Sequence, residues 1–154
     1  MSANKLLTRW FGGVLLFLLC FGKPVEALAA ELKVEARLVW GTNEDKSPNP
    51  DHKPVDAALA KKLRKVFKWQ NYFEVNRQVA TVPQNQTTNI NMSSKCVLEV
   101  KNLGNSRVEV KLIGKGKLVS KNAQTLTSGE DLIVAGDDKN DSAWFVVIRS
   151  VDSK

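Results

Sequence analysis

Two alternating runs, residues 96–103 and 107–113, stand either side of Gly104-Asn105 with little else between them. Glycine and asparagine tolerate the positive φ that a two-residue hairpin turn demands, so this stretch is committed to folding back as paired strands. Cys96, Leu98 and Val100 would share one face of the first strand. Val108, Val110 and Leu112 would point inward from the second.

The same pattern recurs along the chain. Residues 32–40 place Val34, Ala36, Leu38 and Trp40 on one face and Lys33, Glu35 and Arg37 on the other, the period of a half-buried strand. Residues 72–82 read as a strand with Phe73, Val75, Arg77 and Val79 on one face, and residues 84–91 read as a polar turn. Residues 132–135 and 143–149 would pair across an acidic turn. Within the second of these, residues 144–148 are apolar on both faces and need cover from both sides. Asp137, Asp138 and Asp141 in that turn resemble a calcium loop only superficially, because the sixth-position glycine and the closing glutamate are missing. The expected fold is mainly β, an antiparallel β-sandwich or open barrel, with one amphipathic α-helix near the N-terminus of the mature chain.

That helix is expected over residues 55–67, within a helical stretch ending at about 68. Asp56 follows Pro54 as the N-cap, and Leu59, Leu63, Val66 and Phe67 form one apolar stripe. Lys61, Lys62, Arg64, Lys65 and Lys68 crowd its second half, where cations complement the negative end of the helix dipole. Trp69, Tyr72 and Phe73 follow at once. Lys61, Lys65 and Lys68 together with Trp69, Tyr72 and Phe73 are the expected interaction surface, although an aromatic cluster at such a junction also serves to plug a core.

The first 30 residues read differently. Lys5 and Arg9 precede an apolar run of 13 residues, 10–22, and the segment ends in Ala27-Leu28-Ala29-Ala30. As a helix that run would reach only about 20 Å against a hydrocarbon core of about 30 Å. It has the proportions of a signal peptide, cleaved after Ala29 or Ala30. Lipid attachment at Cys20 wants a small residue before it, and Leu19 is large. Residues 1–30 are therefore expected to be the signal and 31–154 a single β-rich domain, exported to the periplasm or the extracellular space and not membrane-spanning. Three cations and one anion leave with the signal, taking the formal net charge from +7 to +5.

Cys20 leaves as well, so Cys96 has no intramolecular disulfide partner and reads as a buried small hydrophobe rather than a reactive thiol. His52, the one histidine, lies in the proline-rich loop 47–54. A zinc site takes three or four ligands, and a nucleophilic triad needs a base oriented by a third group. Asp51 is adjacent to His52, a poor position for that role, and Glu130 and Asp131 read as solvated. The expectation is no catalytic residue, no metal and no cofactor. The chain then reads as an exported non-enzymatic binding or structural module of the cell envelope or extracellular space, acting through protein–protein contact. Alternatives are recognition of an anionic lipid or cell-wall polyanion by the basic helix face, and a carboxylate-based hydrolase. Nucleic acid is not an expected partner.

Overall fold

The computed structural model describes residues 30–139 and 141–151, with side chains left aside at 137–139. The expected signal, residues 1–29, lies outside the described residues. The elements in chain order are β1 (Leu32–Thr42), β2 (Lys53–Pro54), α1 (Ala57–Val66), β3 (Asn71–Val82), β4 (Thr87–Ser93), β5 (Cys96–Gly104), β6 (Arg107–Gly114), β7 (Lys117–Thr125), β8 (Leu132–Lys139) and β9 (Ser142–Ser150). They make a mainly β fold of two antiparallel sheets and one helix. One sheet has the order β2-β3-β1-β9-β8 and the other β4-β5-β6-β7. Among the described residues, no helix is long and apolar enough to cross a membrane.

Alternation decides which side chains each sheet buries. Val34, Ala36 and Leu38 of β1, with Val146 and Ile148 of β9, join Leu98, Val100, Val108 and Val110 of the second sheet in one core cluster. The other face of the five-stranded sheet carries Val39, Phe145 and Val147, which pack with Leu59, Ala60 and Leu63 of α1. The strand that is apolar on both faces, β9, thus lies between β1 and β8 and is covered on both sides. Burying a side chain such as Phe145, 1 % exposed, contributes about 1.5–3 kcal/mol.

Asp56 caps α1 by accepting the Leu59 N–H at 2.9 Å. Leu59 and Leu63 are buried, but Val66 is 69 % exposed and leaves the expected apolar stripe. Helix α1 ends at Val66 with Phe67 extended, so Phe67 reaches Phe145 (ring centroids 4.3 Å) while Val66 turns to solvent.

Three further expectations are corrected. Residues 84–91 are not a turn throughout, because β4 occupies Thr87–Ser93 and buries Ile90 and Met92 behind an outward row of Thr87, Asn89 and Asn91. In β3, Val75 is an extra residue: Leu38 faces Asn76 and Val39 faces Glu74. That β-bulge shifts the phase of the strand, so Arg77 pairs with Glu35 and Glu74 (3.2 and 2.7 Å) instead of following Phe73 and Val75 inward. Arg37, expected in solvent, is 2 % exposed, because α1 folds over the face that carries it.

The β5–β6 hairpin forms with its centre one residue beyond the expected pair. Gly104 pairs with Arg107, leaving Asn105 (φ 52) and Ser106 (φ 58) at the tip. Nearby, buried Asn102 accepts the Gly104 N–H at 2.9 Å and donates to the Val82 carbonyl at 2.9 Å, tying this hairpin to the end of β3.

Candidate functional site

A cleft of about 490 Å³ lies between one face of the first sheet and the β4–β5 and β6–β7 turns of the second. The first sheet supplies its apolar wall. Leu38 and Trp40 come from the second half of β1, Val75 from the bulge of β3, and Trp144 from the start of β9. Trp40 and Trp144 are direct cross-strand partners, so alternation sets both indoles on the same face.

Close contacts hold the two rings in place. Trp40 packs on Phe73, with centroids 6.0 Å apart and planes inclined by 33°. Trp144 crosses Gly136, where a Cβ would stand 2.7 Å from the Trp144 carbonyl oxygen and 3.1 Å from its ring. On the opposite sheet, a Cβ at Gly114 would meet Val119 at 2.9 Å and the far edge of the Trp144 ring at 3.8 Å. Glycine at these positions allows strand backbones to approach the indole.

The second sheet supplies the polar rim. Ser93 ends β4, Lys95 lies in the β4–β5 turn, and Lys115 lies in the β6–β7 turn. The turns are joined: the Lys115 N–H donates to the Lys95 carbonyl at 2.8 Å, and the Lys95 N–H donates to Ser93 Oγ at 3.2 Å. Neither Lys95 nor Lys115 forms an ion pair with a carboxylate among the described residues, in contrast to Lys62, Lys111 and Lys121.

Pro48 and His52 complete the lining from the connection between β1 and β2. His52 Nδ1 and Ser47 Oγ share a hydrogen bond of 2.7 Å, a pairing that the sequence reading missed. Ser47 Oγ also accepts the Asn49 N–H at 3.3 Å, and Asn49 Oδ1 accepts the Asp51 N–H at 2.9 Å. The serine hydroxyl is therefore part of a folded loop that fixes the histidine ring at the cleft. Two prolines in that loop were the available signal.

The expected interaction surface is divided. Lys61 and Lys65 are exposed on α1, and Lys68 Nζ lies 5.1 Å from the centre of the Trp69 ring. The aromatic residues are not a surface patch: Trp69, Tyr72 and Phe73 are 5 %, 3 % and 7 % exposed. Trp69 and Tyr72 pack around Phe145 on the helix side, and Trp69 Nε1 donates to the Asp141 carbonyl at 3.0 Å. Phe73 alternates to the other face and meets Trp40. A polar depression of about 420 Å³ remains beside them, lined by Arg64, Phe67, Lys68, Trp69, Gln70 and Asn71.

A second concentration of charge lies between α1 and the first sheet. Arg37 Nη1 donates to Asp56 Oδ2 at 3.0 Å, while Asp131 Oδ1 and Glu35 Oε1 each stand 3.6 Å from its other nitrogens. Asp131, expected in solvent, has a side chain only 3 % exposed, bonded by Lys62 at 2.8 Å and Arg149 at 2.7 Å. Burial alone would raise the Asp131 pKa, but the hydrogen bonds from Lys62 and Arg149 outweigh it and hold the carboxyl below its ordinary value. Asp56 is held down first by the Leu59 N–H; burial opposes this, and the hydrogen bond and charge of Arg37 lower it further. These groups join the N-terminus and middle of α1 to β1 and β9, although Nε and Nη2 of Arg37 find no hydrogen-bond partner among the described residues and meet their carboxylates only at 3.6 Å.

Cys96 is buried beneath the second sheet, 1 % exposed, and burial pushes its thiol pKa up to about 11. Burial likewise raises the phenol of Tyr72, whose hydroxyl has no hydrogen-bond partner among the described residues. Among the described residues no group of His, Cys, Asp and Glu is arranged to hold a metal ion. Comparison with known proteins finds no matching family model, no matching curated protein and no matching solved structure.

Proposed function

We propose that the chain is an exported, non-enzymatic binding module, a β-sandwich that holds its ligand in the cleft between the first sheet and the turns of the second. One observation carries this reading: two cross-strand indoles, flanked by Phe73 and Gly136, line an apolar wall open to solvent. Its volume, about 490 Å³, falls in the range of about 300–1,000 Å³ that accommodates small ligands. Support for the sandwich comes from the single core cluster that draws on both sheets. Export rests on the charged start, short apolar run and alanine-rich end of residues 1–30. The non-catalytic reading is supported by Asp131, whose oxygens are already bonded by Lys62 and Arg149, and by Ser47, whose hydroxyl is bonded within its own loop.

The burial of Trp69, Tyr72 and Phe73 moves the proposed contact from the helix to the cleft. The exposed cations of α1 favour a second reading, electrostatic attachment to an anionic lipid or polyanion through Lys61 and Lys65.

The test is a photo-crosslinking amino acid in place of Ser93, at the cleft, introduced in cells and followed by mass spectrometry of the recovered chain. A discrete adduct is expected at this position and not with the same amino acid at Asn122, exposed on β7. Ser93→Trp, which plugs the mouth, should compete away ligand captured by a crosslinker at Lys95. Equal labelling at Ser93 and Asn122 would sink the reading.

A further inference from the structure

We propose that the ligand of this cleft is an amphipathic carboxylate: an apolar chain or ring system ending in one carboxylate head. The inference rests on the binding-module reading and adds the chemistry of the occupant. The apolar body would lie along Leu38, Trp40, Val75 and Trp144, which present no charged group of their own. The rings are positioned before any ligand arrives. Trp40 is flanked by Phe73, its partner across the β1–β3 pair, and Trp144 is seated against Gly136 and Gly114. Pre-positioned aromatic surface avoids much of the ordering cost of association.

The head is specified by the rim. Lys95 and Lys115 line the cleft from turns joined by a backbone hydrogen bond of 2.8 Å, and their long stems allow both ammonium groups to meet a head bound at its rim. Both lack an ion-pair partner among the described residues. Two separate point charges on flexible stems suit a carboxylate, which offers one oxygen to each. Ser93 Oγ accepts the Lys95 N–H and keeps its own proton to donate to the same head. A neutral amphipath would leave both ammonium groups without a counter-charge, and a cationic one would be repelled.

The experiment titrates the purified protein with decanoate, decanol and decyltrimethylammonium, each below its aggregation concentration. It follows the indole N–H signals of Trp40, Trp144 and Trp69 by NMR. Trp69, on the opposite face of the first sheet, is the internal control. Decanoate should shift Trp40 and Trp144 but not Trp69, and should bind roughly tenfold or more tightly than decanol, the scale of a lost charge-assisted hydrogen bond. Lys95→Met with Lys115→Met should abolish that advantage and bring the decanoate and decanol affinities level. Equal affinity of the unmodified protein for decanoate and decanol overturns the carboxylate assignment and leaves the cleft reading standing. A crosslinked adduct at Ser93 with no response to any of the three probes overturns the amphipath. Absence of both the adduct and the response removes the binding-module reading as well.

Discussion

Arg37 and Asp131 approach to 3.6 Å with both side chains 3 % exposed, one from the middle of β1 and the other from the residue before β8. Few places in the chain concentrate so much charge behind so little solvent. Removing one member of a buried pair costs about 3–5 kcal/mol, because the survivor keeps its desolvation penalty. Asp131→Asn should therefore lower unfolding stability by about 3 kcal/mol in urea titrations. Arg37→Met should cost less, since Asp131 retains Lys62 and Arg149. The reverse order would mean that Arg37 rather than Asp131 is the hub.

Acid should loosen the same junction. Asp56 and Asp131 titrate below the ordinary aspartate value of 3.8 in the folded chain. A depressed folded pKa gives stability that is complete above the unfolded value and lost as pH falls through the folded one. The urea midpoint should thus be level in this respect above about pH 5 and fall progressively as pH drops through 3.8 and below. The Asp131→Asn variant should show a shallower fall. Parallel curves for the two proteins would contradict the assignment.

Gly136 has no room for a side chain. A methyl group there would meet a backbone oxygen of Trp144 at 2.7 Å, so the strand must move. Gly136→Ala should cost about 1–3 kcal/mol, the usual scale of overpacking. It should also shift the Trp144 indole signal and weaken cleft binding. An unchanged indole signal would show that Trp144 is not braced by β8.

The cations of α1 should matter little to stability. Lys61→Glu with Lys65→Glu alters two exposed side chains, of which only Lys65 lies in the last turn, where loss of dipole complementarity costs about 0.3–1 kcal/mol. Binding in the cleft should be untouched. Loss of attachment to anionic vesicles at low salt, with cleft binding intact, would establish the helix as a separate contact surface.

Cys96 should resist thiol reagents. Its burial and its pKa of about 11 leave almost no thiolate at neutral pH. Labelling by a disulfide reagent should be negligible in the folded protein and complete in denaturant. Fast labelling without denaturant would show that the second sheet opens.

The legible parts of this fold were those carried by local pattern. The β5–β6 hairpin announced itself through Gly104-Asn105, and the inward face of Cys96, Leu98 and Val100 followed from alternation alone. Strand β4 was hidden because Ile90 and Met92 are isolated within a polar stretch, and only the sheet they join makes that alternation meaningful. The burial of Arg37 and Asp131 depends on α1 packing across strands distant in sequence, which no local period records. The cleft was less legible still. Its wall and rim come from β1, a loop, a bulge, the end of β4, two turns and β9, and no spacing connects Trp40 with Lys115 or Trp144 with Ser93.

Strand β3 contains one residue that its pairing does not require. With Leu38 opposite Asn76 and Val39 opposite Glu74, excision of Val75 would leave every remaining partner in register and every other side chain on its own side. The hydrogen-bonded ladder gains nothing from keeping it. What it gives the molecule is a kinked strand and one more apolar group in the mouth, so here the backbone gives up regularity to shape a hollow.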